Sequence, residues 1–265
     1  PLEKKLMEKF DMSQFIVCTD AGLSSNTNRY FNSYGKADAT RDFITTQSVK
    51  KLKARLKKWA LAPEGWRLSG SDGRTTYNIN ELDEAECLDR IYYKSRWIKE
   101  KVEAVIDGQS RKVELEQQLI VTYSIKYRNY LRAIRNRQVE RARKAVAAGA
   151  KAVERKRQND PKRFIKVNHA TKDGDVAEQA ACHIDEDAIA KEEQYDGFYA
   201  VCTSLEDGPE PIIKVNQRRW EIEECFRIMK SEFQARPVYL KLQDRIIAHF
   251  ITCFISLIVY RYLER

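Results

Sequence analysis

Short apolar runs of β-favouring residues, separated by polar turns, predict strands along most of the chain. The clearest runs occupy 15–20, 42–47 and 195–204. Further runs between residues 48 and 195 include IYYKSRWI, KVEAVI and QLIVTYSIKY, among turn sequences such as SGSDG and IDGQS. Helical patterns occupy 126–158, 216–233 and 246–263. The alternation of strand and helix patterns predicts an α/β fold.

The helix predicted over 216–233 brings a carboxylate and two cations onto one narrow strip. Each helical residue advances by roughly 100°, so with Arg219 at zero, Lys230 falls near 20° and Glu223 near 40°. Asn216 falls near 60° on the same scale. The apolar side, which we expect to be buried, consists of Ile222, Phe226, Met229 and Phe233. The alternative is a set of ordinary surface pairs at helical spacing, worth roughly 0.2 to 0.5 kcal/mol each.

Asp20 ends the first predicted strand, before a turn at Gly22 and a helix start capped by Ser. In open α/β sheets, ligands bind at the carboxyl ends of the strands. The pattern therefore favours a ligand-binding position for Asp20. The alternative is that its side chain only accepts hydrogen bonds from its own turn.

The order Arg219, three residues, Glu223, six residues, Lys230, within RWEIEECFRIMK and followed by RPVYL, resembles the signature of one large group of bacterial insertion-sequence DDE transposases. In that group a Tyr stands three positions before the Arg, where this chain has Asn216. The strand followed by Asp-x-Gly is similar to the segment that carries the second metal-binding acid of the group. The resemblance implies that Asp20 and Glu223 are catalytic and bind metal, and that Arg219, Lys230 and Asn216 contact DNA.

The resemblance implies DNA strand cleavage and strand transfer at transposon ends. Two Mg²⁺ or Mn²⁺ ions about 3.5 to 4 Å apart activate the attacking oxygen and stabilise the leaving one in such reactions. These hard cations favour carboxylate ligands. Only PLEKKLMEKFDMSQ precedes the strand of Asp20, and it contains no strand-end acid. We therefore expect the carboxyl-terminal part of a longer transposase, inactive by itself. The alternatives are a DNA-binding remnant and a metal-dependent nuclease.

The resemblance covers most of the chain and implies an incomplete ribonuclease H-like core with a large insertion, β-rich and helical, before the Glu-bearing helix. Three parts follow in chain order. Residues 1–47 carry the second acid, 48–194 form the insertion, and 195–265 contain the re-entering strand and the core helices. The implied partners are transposon-end DNA, target DNA and a second copy of the chain in a synaptic complex.

Positive charge is concentrated in one segment. From Lys126 to Arg163 there are fourteen Lys and Arg against three acids, whereas the net charge of the whole chain is +9. A long basic helix over 126–158 would neutralise DNA phosphates. The expected contacts are Arg135, Arg137, Arg141, Arg143 and Lys144. The alternative is a solvated helix with a basic face. Tyr123, Tyr127 and Tyr130 at its start could stack on bases or pack the helix onto the preceding strand.

The compartment predicted by the sequence is the cytoplasm. The six cysteines lack metal-site spacing and no signal peptide is visible, which favours reduced thiols. The apolar run 246–263 approaches the length of a membrane span, but His249 and Arg261 interrupt it, so we predict a buried core helix and no membrane partner. There is no Gly-rich phosphate loop and no Gly-x-Ser-x-Gly sequence, so ATP-dependent and serine-hydrolase functions have no support.

Overall fold

The structure is a computed structural model that describes residues 14–33, 40–148, 160–170 and 176–264. The chain divides into two compact units, Pro1–Glu206 and Asp207–Arg265. The first unit contains all the described strands and is a mixed α/β structure, as the sequence predicts, whereas the second is helical. We describe each unit by itself.

A six-stranded mixed sheet forms the centre of the first unit. Its strands are β1 (Gln14–Thr19), β2 (Thr40–Thr46), β3 (Arg67–Leu68), β4 (Tyr92–Ile106), β5 (Gln109–Tyr123) and β8 (Phe198–Thr203). Their spatial order is β1-β2-β8-β5-β4-β3. β1 and β2 are parallel, and each of the other neighbouring pairs is antiparallel. The strands predicted over 15–20, 42–47 and 195–204 are thus confirmed, and they lie side by side.

The described helices of this unit connect or cover the sheet. They are α1 (Asn26–Ser33), α2 (Ala54–Leu61), α3 (Ile125–Ala147) and α4 (Glu186–Glu193). Helix α1 joins the parallel strands β1 and β2, which need such a crossover because a tight turn cannot connect parallel strands. The prediction of a Ser-capped start is confirmed, since the side-chain oxygen of Ser25 accepts a hydrogen bond from the Asn28 amide at 3.2 Å.

The main hydrophobic core lies against the central strands. Leu119 and Val121 of β5 are fully buried in this core. Trp66 is also fully buried and packs on the rings of Tyr123 and Phe198, with ring centroids 5.9 and 5.7 Å away. Its indole N–H donates to the Ala62 carbonyl at 2.9 Å, so the buried ring leaves no polar atom unsatisfied.

The runs IYYKSRWI and KVEAVI form one strand, β4, where the sequence pattern indicates two. β4 and β5 pair over fifteen positions and are joined by a two-residue turn at Asp107 and Gly108, both with positive φ. This turn type matches the twist of a hairpin. β5, which the prediction assigns to the insertion, pairs with β8, which it assigns to the core, so one sheet spans both predicted parts. The boundary between the two compact units lies at 206/207. The three-part division remains a prediction.

A smaller element follows α3. β6 (Ile165–Ala170) and β7 (Val176–Ile184) form a separate antiparallel pair, with a short 3-10 helix, Pro161–Phe164, before them. Phe164 and Ile165 pack against Val139 and Ala142 of α3. The hydrophobic pattern predicts neither β7 nor α4, because the segment from about 170 to 194 is rich in polar residues.

The helical unit contains α5 (Pro209–Gln217), α6 (Arg219–Ser231) and α7 (Gln243–Leu263). The helix predicted over 216–233 is confirmed over Arg219–Ser231, but a turn at Arg218 separates α6 from α5, and Asn216 lies on α5. The predicted buried side of α6 is confirmed only in part, since Met229 and Phe233 are half-buried and its other two members are exposed. Ile222 and Phe226 are each 57% exposed, and Ile228 is the buried residue.

Helix α7 is the apolar run predicted to be a core helix. Only Cys253 and Leu257 are buried in it, so most of its apolar side chains are exposed and the prediction of a buried helix is wrong. By length and composition, it is the one helix among the described residues that could cross a membrane. The Nε2–H of His249 donates a hydrogen bond to the Ala235 carbonyl, 3.3 Å away.

Candidate functional site

Asp20 lies immediately after β1, at the carboxyl end of the parallel pair β1 and β2. One of its carboxylate oxygens, Oδ1, accepts hydrogen bonds from the amides of Gly22 and Leu23 at 2.9 and 3.2 Å. The Thr45 hydroxyl on β2 donates to the Asp20 carbonyl at 3.4 Å. Asp20 therefore lies where a ligand-binding acid is predicted, and it also accepts hydrogen bonds from its own turn, as the alternative proposes. The turn holds an exposed carboxylate in a fixed orientation.

Glu223 and Lys230 lie on α6 and are exposed. They are seven residues apart, which places them on the same face of the helix. The side chain of Arg219 lies outside the described residues. Asn216 is half-buried near the end of the preceding helix, and its side-chain oxygen has no hydrogen-bond partner among the described residues. Glu223 and Lys230 thus share one face of α6, whereas Asn216 belongs to a different helix, α5.

Asp20 and Glu223 belong to different compact units, so their convergence on a shared metal remains a prediction. Both supply carboxylate oxygens, the donors that Mg²⁺ and Mn²⁺ prefer. Within the described ranges, no group of three or more His, Cys, Asp and Glu side chains gathers as a metal-binding cluster. The predicted pair supplies two carboxylates, one fewer than such a group.

The basic helix begins where the sequence predicts, and α3 is described as far as Ala147. Residues 149–158 of the predicted helix lie outside the described residues. Arg137, Arg141 and Lys144 are exposed and fall within about 60° of one another around the helix axis. The buried positions Val139 and Ala142 lie on the opposite side. We call Arg137, Arg141 and Lys144 the basic stripe.

Arg143 is exposed as well, but it lies on the flank of α3, about 100° from the nearest member of the basic stripe. The exposed positions of this helix therefore present cations over a broad solvent-facing surface. Glu140 is an exposed acid beside the stripe and reduces its net charge.

Arg135 is buried, contrary to its predicted role in DNA binding. Its guanidinium donates two hydrogen bonds of 2.7 Å to the carboxylate of Asp196, which is also buried, and one of 3.2 Å to Glu193. Burial opposes the charge of Arg135, but the hydrogen bonds to Asp196 and the negative charges of Asp196, Glu193 and Glu192 together raise the pKa of the guanidinium. We therefore remove Arg135 from the predicted DNA contacts, because it is already neutralised and shielded. Asp196 belongs to the turn that precedes β8.

The tyrosines at the start of α3 favour the packing alternative. Tyr123 is buried in the core, and Tyr127 packs edge-on against Tyr199 of β8, with ring centroids 6.3 Å apart. Tyr130 stacks on Tyr127 and is 58% exposed. Only Tyr130 thus has a ring surface accessible to a nucleobase.

A polar cavity that no sequence pattern indicates begins at Ala21, the residue after Asp20. The cavity has a volume of about 520 Å³, and its lining includes Ala21, Ser25, Arg29 and Lys51. Arg29 is buried and donates to the side-chain oxygens of Gln47 and Gln117 at 2.8 and 3.3 Å. No sequence signal distinguishes Arg29 from the many exposed Lys and Arg residues, because its burial depends on the packing of α1 against the sheet.

Comparison of the chain with models of protein families, with curated proteins and with solved structures gives no match.

Proposed function

We propose that this chain is part of a DDE-type DNA transposase with a ribonuclease H-like core, in which Asp20 and Glu223 bind Mg²⁺ or Mn²⁺. The observation that supports the proposal most strongly is the position of Asp20. An acid predicted from a resemblance in sequence lies at the carboxyl end of the first of two parallel strands, where ligands bind in α/β sheets.

The helix of Glu223 provides the second support. The segment with the Arg, Glu and Lys spacing is helical over Arg219–Ser231, and Glu223 and Lys230 are exposed on one face. Carboxylate oxygens are ligands that Mg²⁺ and Mn²⁺ prefer, and an ammonium forms charge-assisted hydrogen bonds with phosphate oxygens. When bound, the metal ions would supply activation of the attacking oxygen and stabilisation of the leaving oxygen.

The basic stripe supports DNA as the partner. Arg137, Arg141 and Lys144 point away from the packed side of α3, so they can contact phosphates without breaking any core contact. Each phosphate that a protein neutralises adds about 0.9 to the slope of log K against log salt. The three side chains together would therefore account for a slope of about 2.7.

The first experiment measures the binding of a duplex DNA at several salt concentrations. Replacing all three residues of the basic stripe by Gln should weaken binding and lower the slope by up to about 2.7. The control is the triple variant Arg55→Gln, Lys58→Gln and Arg74→Gln, which removes three exposed cations elsewhere in the unit. Equal effects of the two triple variants would contradict a specific role of the basic stripe.

The second experiment separates the transposase from its alternatives. Supercoiled DNA is incubated with the chain and Mn²⁺, and the Glu223→Gln variant is compared with Glu221→Gln, an exposed acid on another face of the same helix. The resemblance matches Asp20 to the second metal-binding acid of the group and assigns no first acid in this chain, so we expect salt-sensitive binding without nicking. Nicking that depends on Glu223 would identify an active enzyme, and joining to a target duplex would separate transposase from nuclease. Failure to bind DNA at low salt would contradict the proposal.

The proposal also includes a second copy of the chain in a synaptic complex, because transposition joins two DNA ends. The proposed compartment is the cytoplasm. Gel filtration of the chain with and without end-containing duplex tests the second copy. The expected result is a complex that contains two chains, and a single chain on the duplex would contradict it.

A further inference from the structure

Arg29 is a buried cation with uncharged partners. It is 7% exposed, and its guanidinium donates to Gln47 and Gln117 through their side-chain oxygens. Within the part of the chain that the structure describes, its buried Nε has no hydrogen-bond partner. Among the described residues, no carboxylate forms an ion pair with Arg29. A buried charge is costly unless an opposite charge neutralises it. The surroundings of Arg29 therefore lack one negative charge.

The cavity lined by Arg29 has an excess of positive charge. Its ionisable lining consists of Arg29, Lys51, Lys53, Glu100 and Cys202. Glu100 is already paired with Lys53, whose ammonium lies 2.8 Å from its carboxylate. Burial raises the pKa of the Cys202 thiol to about 11, so the thiol is uncharged near neutral pH. Three cations thus face one acid, and that acid is neutralised.

The start of α1 adds uncharged donors to the same cavity. Ser25 and Asn26 are part of the lining. The Ser25 side-chain oxygen accepts a hydrogen bond from the Asn28 amide, so its own hydroxyl proton can be donated elsewhere. The first amides of a helix have no acceptor within the helix, and the positive end of the helix dipole favours an anion. Backbone amides, a hydroxyl and a guanidinium are the donors that bind phosphate oxygens.

We propose that this cavity binds one phosphate group, with Arg29 as the charged donor, Lys51 as a second cation at the cavity and Ser25 as a neutral donor. Arg29 supplies a planar fork of N–H groups that fits phosphate oxygens. The phosphate belongs either to the DNA backbone, which rests on the proposed function, or to free inorganic phosphate. The binding chemistry is the same in both cases.

The test measures binding of inorganic phosphate to the full chain by calorimetry and by thermal unfolding. Arg29→Gln should weaken phosphate binding by about tenfold or more, which is the loss of one charge-assisted hydrogen bond. Lys51→Ala should weaken it severalfold. Lys58→Ala is the control, because Lys58 is an exposed cation outside the cavity. If Arg29→Gln does not fold, Lys51→Ala and Ser25→Ala provide the same comparison, because both residues are exposed.

Competition between inorganic phosphate and a short duplex DNA distinguishes the two sources. Displacement of phosphate by DNA, together with weaker DNA binding by Lys51→Ala, would support the cavity as a backbone phosphate site. Phosphate binding that DNA does not displace would support the cavity as a site for free phosphate. Absence of phosphate binding, or equal loss in Lys58→Ala, would overturn the inference.

The proposed function can fail independently of this inference. It fails if the DNA affinity does not respond to the basic stripe, and the phosphate measurement does not depend on that result.

Discussion

The ion pair between Arg135 and Asp196 should contribute strongly to the stability of the Pro1–Glu206 unit. Two hydrogen bonds of 2.7 Å join the side chains, which are 6% and 5% exposed. Asp196→Asn leaves the buried guanidinium without its main counter-charge, a change that typically costs about 3 to 5 kcal/mol. Glu193 remains 3.2 Å from Arg135 and offsets part of the loss. We therefore expect a loss of about 3 kcal/mol, at the lower end of that range.

Equilibrium unfolding in urea, followed by circular dichroism at neutral pH, measures this loss. Glu193→Gln is the matched control, because Glu193 is 54% exposed and its contribution should stay below about 1 kcal/mol. Arg135→Met should be destabilising too, while the folded variant should keep the salt dependence of DNA binding. If Asp196→Asn costs no more than Glu193→Gln, the pair is not buried as described. A lower salt slope in Arg135→Met would restore Arg135 to the DNA contacts.

Three further predictions concern stability. Gly197→Ala should lower the free energy of unfolding in urea by about 2 to 4 kcal/mol. Gly197 has φ +84°, and an added Cβ would lie 2.7 Å from the Tyr123 ring. The control Gly208→Ala should be nearly neutral, because among the described residues no atom beyond its chain neighbours lies within 4 Å of an added Cβ there. Burial lowers the pKa of Lys94 to about 8, so its ammonium is disfavoured in the folded chain. The stability of the wild type relative to Lys94→Met should therefore rise by roughly 2 to 3 kcal/mol as pH increases from 8 to 10.5. A stability difference that does not change with pH would contradict this prediction. Burial opposes the charge of Glu192, but the hydrogen bond from Arg163 helps to lower its pKa below the usual 4.5. The wild type should therefore be more stable than Glu192→Gln by about 1 to 2 kcal/mol at neutral pH, and this difference in stability should disappear as pH falls below the usual pKa. A stability difference that persists in acid would refute the prediction.

Local patterns predicted the elements that position the candidate site. The β-favouring runs around residues 15–20 and 42–47 form adjacent strands, and Asp20 follows the first of them. These predictions succeed because strand propensity, a turn at Gly22 and a Ser cap all act within a few residues. Strand β7 was not predicted, because it follows directly on a polar segment and its formation depends on tertiary pairing with β6.

Side-chain environments could not be predicted from the sequence in the same way. Arg135 and Arg137 lie two residues apart on a basic helix, yet one is buried against Asp196 and the other is exposed. The difference arises from a partner sixty-one residues away along the chain. The helical wheel of 216–233 failed at Arg218 for a related reason, because a wheel assumes an unbroken helix and no break was evident in the pattern.

The account depends most on the convergence of Asp20 and Glu223 on one metal site. Fe²⁺ can occupy oxygen-ligand sites of this kind, and hydroxyl radicals generated at the bound ion cut the backbone close to it. The full chain, loaded with Fe²⁺ and treated with ascorbate and peroxide, should be cut near residue 20 and near residue 223, and either Asp20→Asn or Glu223→Gln should abolish both cuts. Cuts at one position only, cuts that each respond to one variant alone, or no cuts would contradict a shared site.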